Sequence, residues 1–263
     1  DVLFSESVVP PTRVTAMTDT AEVGAPRAPH VCGKQPGSNY CDTCKVRSLA
    51  VCAALDPKEL HELDDIVHHI RIEGKSTFIH QGENADAVFS VTEGVVRLYK
   101  LLSDGRRQII GFAMPGDFLG LALHNRYGFS ADAVDDVALC RFDRREFDAL
   151  VTAKPHFLRR LHEFATHELV IAQEQMTLIG RRSAEERVAA FLVAMRERWA
   201  QIKGPSVTIQ LPMQRIDMAD YLGLTIETVS RTLTKLARDG IILIVPEAVR
   251  VLDEKKLASI ARA

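Results

Sequence analysis

Apolar positions recur along this chain with two different periods, and the switches between them divide it. Over residues 56–70 the run DPKELHELDDIVHHI sets Leu60, Leu63, Ile66, Val67 and Ile70 three or four residues apart. That spacing predicts one helix, with Asp56 as its N-cap and Pro57 in its first turn. Over 78–142 the period falls to two. Gln81-Gly82-Glu83-Asn84, Glu93-Gly94, Ser103-Asp104-Gly105-Arg106 and Pro115-Gly116-Asp117 punctuate short apolar runs such as 95–99, so this stretch predicts a β-roll or barrel. Helical spacing returns over 157–179, where Ala165, Leu169, Ala172, Met176 and Ile179 alternate steps of four and three. Such a seam suits a partner helix, and it equally suits packing on the chain's own roll. Ser183-Ala184-Glu185-Glu186 has the form of a capping box. It opens a helix with Val188, Phe191, Leu192, Met195 and Trp199 on one face, ended by Lys203-Gly204-Pro205.

The C-terminal stretch MQRIDMADYLGLTIETVSRTLTKLARDG predicts a helix-turn-helix. A short helix over 214–222 turns inward the small Ala219. Gly223 stands where a sharp inter-helix turn favours a residue without a Cβ. Thr225 caps a second helix running to about Asp239, with Val229, Leu233 and Leu236 inside. Two short apolar runs, 241–245 and 249–252, flank Pro246-Glu247-Ala248 as a β-hairpin wing. Glu227, Ser230 and Arg231 share one face near the start of the second helix. Arg pairs with guanine O6 and N7, Glu accepts from cytosine N4, and Ser contacts base or phosphate.

Composition limits the function classes. A chain of 263 residues with 46% apolar residues supports two ordinary domains, and a net charge of −2 confines any nucleic-acid contact to a local patch. No apolar run approaches the roughly eighteen residues of a membrane helix, and no secretory signal opens the chain, so a cytoplasmic protein without a membrane partner is expected. Residues 1–30, rich in Pro, Thr, Val and Ala, lack either period and read as a disordered arm.

Against that background the cysteines matter. Cys41, Cys44 and Cys52 crowd one segment, with Cys32 just before it and Cys140 far downstream. A reducing compartment argues against disulfides. Cys41 and Cys44 lack the βαβ surroundings of a dithiol oxidoreductase. Zinc and an iron–sulfur cluster both take four thiolates, and spacing alone leaves the two open. The nearby His30, His61, His68 and His69 read as surface residues.

The succession of β-roll, long helix, AEERVAAFL and DMADYLGLTIETVSRTLTKLARDGII resembles the CRP/FNR superfamily of bacterial transcription regulators over residues 40–252. Glu227-Thr228-Val229-Ser230-Arg231 matches the E-x-x-S-R signature of its FNR branch. The resemblance implies an α+β fold. A cysteine-rich segment (31–55) and a cyclic-nucleotide-binding-like β-roll (56–155) precede a dimerisation helix (156–182) and a winged helix-turn-helix domain (183–263). It implies a homodimer that reads TTGAT-like palindromes on double-stranded DNA through Thr225, Glu227, Ser230 and Arg231, with Ala165, Leu169, Ala172, Met176 and Ile179 in the dimer seam. It further implies a [4Fe-4S] cluster on Cys41, Cys44, Cys52 and Cys140, destroyed by oxygen. The seven residues between Cys44 and Cys52 exceed the five of that branch's best-known pattern, and Cys32 is the reserve ligand.

The cyclic AMP cassette of other members is missing. No Glu follows Gly120, no Arg precedes Ser130, and Asp132 would face the phosphate without a matched arginine. The loop Ser103-Asp104-Gly105-Arg106-Arg107 resembles the place where relatives touch RNA polymerase. The expected function is therefore an oxygen-responsive transcription activator and not an enzyme. The alternatives are a regulator with structural zinc or another small-molecule signal, and a thiol oxidoreductase.

Overall fold

A computed structural model describes residues 30–31, 40–121 and 125–262. Residues 1–29 of the predicted arm and Cys32 lie outside the described residues. His30, assigned above to the arm, begins a two-residue strand, β1 (His30–Val31).

Asp56 caps helix α1 (Pro57–Ile66) reciprocally. Its carboxylate accepts from the Lys58 and Glu59 amides at 2.8 and 2.9 Å, and Glu59 accepts from the Asp56 amide at 3.0 Å. The helix ends at Ile66 and not at residue 70, because Val67–Ile72 forms strand β2. The step of three between Val67 and Ile70 is not a helix turn. It is a strand covered on both faces: Val67 packs with Leu60 and Leu63, whereas Ile70 and Ile72 pack inside the roll.

Seven more strands complete the roll: β3 (Thr77–Ile79), β4 (Ala87–Glu93), β5 (Val96–Leu101), β6 (Arg107–Ala113), β7 (Phe118–Leu119), β8 (Ser130–Ala133) and β9 (Val137–Asp143). All pair antiparallel, in the orders β1-β2-β9-β4-β7 and β3-β8-β5-β6. Ile70, Ile79, Phe89, Val91, Val96 and Leu139 fill the core of the roll.

Helix α2 (Arg144–Ala153), which the pattern did not predict, buries Phe147 among Phe118, Phe142 and Phe157. Lys154 interrupts it, and Pro155 starts α3 (Pro155–Arg181), where its missing N–H costs nothing. Phe157 and Leu161 are buried, but Ala165, Leu169, Ala172, Met176 and Ile179 are exposed. Leu169 keeps 57% and Met176 65% of their surface, so this seam is not spent on the chain's own roll.

Ser183 and Glu186 form the expected box at the start of α4 (Ala184–Lys203), which ends at Gly204. Strand β10 (Thr208–Gln210) follows. It was not foreseen, because only its Ile209 is buried. Helices α5 (Arg215–Leu222) and α6 (Ile226–Arg238) precede β11 (Ile242–Val245), β12 (Ala248–Val251) and α7 (Glu254–Arg262). The wing turn is tighter than predicted: Ala248 pairs with Val245, and Glu247 takes a left-handed φ of 51°. No helix among the described residues is long and apolar enough to cross a membrane.

The two halves share one interface. Val95, Ile109, Phe112 and Met114 of the roll join the core of the C-terminal unit, where Phe112 meets Tyr221 edge-on at 5.5 Å. Beside them Arg97 donates to Asp132 at 2.5 Å and to Asp217 of α5 at 2.7 Å, and Arg107 reaches the same Asp217 oxygen at 3.0 Å. Asp132 thus has an arginine after all, on β5 instead of in the cassette position, and its charge is divided with Asp217. Asp132 Oδ1 and Arg97 Nε are buried without hydrogen-bond partners.

Arg97→Met should cost about 3–5 kcal/mol of unfolding free energy, since Asp132 and Asp217 stay buried with less compensation. Pairing it with Asp132→Asn should recover part of the loss, whereas Arg106→Ala, at an exposed turn, should leave the midpoint unmoved. Urea titrations of the variants read this directly, and an unchanged midpoint for Arg97→Met would rule the network out as a structural tie.

Candidate nucleic-acid interface and cysteine centre

Helix α5 ends at Gly223, whose φ of 62° and ψ of 41° lie in the left-handed region that admits glycine cheaply. Leu224 then turns the chain, and the Thr225 hydroxyl accepts from the Thr228 amide at 3.2 Å to start α6. Val229, Thr232, Leu233 and Leu236 are buried, leaving Glu227 and Arg231 exposed and Ser230 half-exposed on the outer side. Arg231 is steadied by the Thr228 hydroxyl at 3.5 Å. The Glu227 carboxyl is held below the usual range by its own backbone amide, then by the Thr225 hydroxyl and by the Arg231 charge. It is therefore ionised at neutral pH and can only accept. The four predicted residues form one accessible group. Pattern reading missed Arg215, which opens α5 and donates to Ser230 Oγ at 3.3 Å. A basic residue at the first position of the first helix was the available signal.

The cysteine segment is built from turns. Cys41 lies on a 3-10 turn (Tyr40–Thr43), Cys44 just beyond it, and Cys52 on a second 3-10 turn (Val51–Ala54). The segment is seated by Val51 and Leu55, which join Phe157, Leu161 and Phe147 in one core. Leu49 lies against Gly116, where any Cβ would come within 2.8 Å of the Leu49 Cβ. Cys140 comes from mid-β9, opposite His69 on β2 and Ser90 on β4.

All four cysteines line one cavity of about 610 Å³. They are free thiols, so no disulfide forms among them. Around them, Asp64 hydrogen-bonds the Cys41 thiol, His69 Nδ1 lies 3.7 Å from Cys140 Sγ, and Tyr40 packs on the His69 ring at 4.6 Å. His69 thus has more than a surface role. Trp199 and Ile202 of α4 also line the cavity. The Trp199 indole donates to the Gln210 carbonyl at 2.8 Å, and Lys203 Nζ sits 4.6 Å over its ring.

Burial, and then the Asp64 carboxylate, push the Cys41 thiol up. Burial followed by Cys44 pushes Cys52 up to about 11, and burial followed by Cys44 and Cys52 pushes Cys140 up to about 12. As thiolates the four would repel one another, so only a cationic centre could hold them ionised together. The donor set fits a four-thiolate group. Among the described residues, however, no three His, Cys, Asp or Glu side chains gather closely enough to hold a single metal ion.

Residues 186–260 match the Crp-like helix-turn-helix domain, and residues 69–154 match the cyclic nucleotide-binding domain. The chain is 54% identical to the transcriptional activatory protein AadR of Rhodopseudomonas palustris over 224 residues, 85% of this chain and 94% of AadR. The chain belongs to the CRP/FNR family. The nitrogen fixation regulation protein FixK of Bradyrhizobium diazoefficiens is 47% identical over 89% of this chain and 99% of its own length. The solved structure of FixK2 from Bradyrhizobium japonicum superposes with a TM-score of 0.70 at 34% identity, covering 75% of this chain and 98% of that one. Members of this CRP/FNR family are DNA-binding transcription regulators and not enzymes, which removes the oxidoreductase reading of Cys41 and Cys44.

Because the folded chain holds the Cys52 and Cys140 protons above the ordinary thiol value of about 8.5, the metal-free protein should alkylate slowly at both in iodoacetamide at pH 8. Its stability should be intact below that value and fall as pH climbs through 11 and 12. Mass spectrometry of the alkylated chain checks the first point, and rapid labelling at pH 8 would contradict the raised thiol values.

Proposed function

We propose that this CRP/FNR protein is an oxygen-responsive activator that acts in the cytoplasm as a homodimer on TTGAT-like palindromic DNA. The observation that carries the reading is that cysteines from two distant segments, the turn-built stretch over 40–55 (the cysteine arm, distinct from residues 1–30) and mid-β9, line a single cavity. Cys41, Cys44, Cys52 and Cys140 would hold a [4Fe-4S] cluster, which when bound supplies an oxygen-labile covalent tie between arm and roll. Val51 and Leu55 of the arm press on Phe157 and Leu161, the first turns of α3. An arm held firmly therefore steadies the base of the helix that carries Ala165, Leu169, Ala172, Met176 and Ile179. Pairing of that seam with a second copy presents two recognition helices together, one DNA turn apart. Arm order and DNA binding favour the same state, so each promotes the other.

At the DNA, Arg231 reads guanine, Glu227 accepts from cytosine, and Ser230, Thr225 and Arg215 fix register on bases or phosphate. Leu101, Leu102 and Ser103–Arg106 project as an exposed hairpin tip, which we assign to RNA polymerase, while Arg107 at its base is half-buried on Asp217. Cyclic AMP is not the signal in this reading, because Arg97 is already committed to Asp132 and Asp217.

Protein purified without oxygen should be brown, with about four iron and four sulfide per chain, and should bleach in air. A colourless protein containing zinc and no sulfide would replace this reading with the structural-zinc one. Separately, Arg231→Ala should lose about 1–3 kcal/mol of discrimination between the TTGAT-like site and a base-substituted site. Competition binding at fixed salt measures it, and unchanged discrimination would remove Arg231 from base reading.

A further inference from the structure

Arg187, in the first turn of α4, sends its guanidinium to the ends of two other helices. Nε donates to the Arg182 carbonyl at 2.9 Å and Nη2 to the Ile179 carbonyl at 2.6 Å, both at the C-terminus of α3. Nη1 donates to the Leu222 carbonyl at 3.0 Å and the Gly223 carbonyl at 3.4 Å, which form the turn of the helix-turn-helix. The last carbonyls of a helix have no partner inside it, and they carry the negative end of the helix dipole. Two such ends meet one planar cation, and only a guanidinium has enough donors in a fixed fork to serve both.

The surroundings point the same way. A Cβ on Gly223 would touch both Arg187 Nη1 and Ile179 Cγ2 at 3.6 Å. Ile179, the last residue of the exposed seam, thus gives its carbonyl to Arg187 and lays its side chain on the turn before the recognition helix. One turn earlier on α3, Gln175 Nε2 donates to the Tyr221 carbonyl of α5 at 2.7 Å.

We propose that Arg187 is a positioning residue for DNA recognition: it fastens the helix-turn-helix to the end of the seam helix, and so sets the separation of the two recognition helices in a dimer. The proposal rests on the dimeric reading above. Arg187 touches no DNA in it; its work is to make the orientation of α6 follow the seam. Two half-sites linked in the correct geometry bind far more tightly than one, and this gain disappears when the geometry is lost.

The test is the ratio of affinities for a full palindrome and for a duplex carrying one half-site. It is measured by fluorescence anisotropy on the full chain, anaerobically, with sedimentation and circular dichroism on the same samples. Arg187→Gln should lower that ratio by on the order of tenfold, leave half-site binding nearly unchanged, and leave the sedimenting mass unchanged. Arg187→Lys should restore little, because an ammonium cannot span both helix ends. If Arg187→Gln fails to fold, Gln175→Ala loosens the same junction and should lower the ratio in the same direction to a smaller extent. An unchanged ratio in a folded variant, or equal losses on both duplexes, would overturn the proposal. A wild-type ratio near one would overturn the two-half-site reading beneath it.

Discussion

The meeting of Asp217 with Arg97 and Arg107 is the constraint on which the two halves of this protein depend. Asp217 is almost fully buried and also accepts from the Gln214 amide at 3.2 Å, so it caps α5 while it anchors α5 to the roll. Buried ion pairs are seldom a net gain over packed apolar residues. Their effect here is directional. Phe112, Tyr221 and their neighbours could slide across one another at little cost, whereas a carboxylate shared between two guanidinium groups accepts few arrangements. The unpaired Arg97 Nε and Asp132 Oδ1 mark where that arrangement is incompletely satisfied.

The cysteine centre has a different balance. Three thiols ride on short turns, and the fourth sits mid-strand between two hydrogen-bonded neighbours. The strand gives a fixed reference, and the turns can adjust to it. Val51 and Leu55 seat this segment in the core, and Leu49 seats it on Gly116.

Much of the architecture was legible because local chemistry and global fold agree. Ser183 and Glu186, Gly223, and Thr225 each do in the structure what their positions suggested, and the period-two stretch became the roll. Two of the misreadings have clear physical causes. Val67 and Ile70 keep helical spacing but lie in a strand covered on both faces, where burial carries no alternation. Strand β10 shows a single buried residue and leaves no period to read. For the sites, residue type and spacing located the recognition face and the thiols. Arg187, Arg97 and Asp217 could not be found that way, because their partners lie far off in sequence and each looks like an ordinary charge on a helix or strand.

Trp199 is the chain's single tryptophan, and it lies in the wall that α4 contributes to the cysteine cavity. The protein therefore carries an intrinsic optical reporter with one address. Its ultraviolet emission responds to the polarity of that wall alone, undiluted by other indoles. Opening or filling of the cavity is legible, without a label, from the colour of the light one side chain emits.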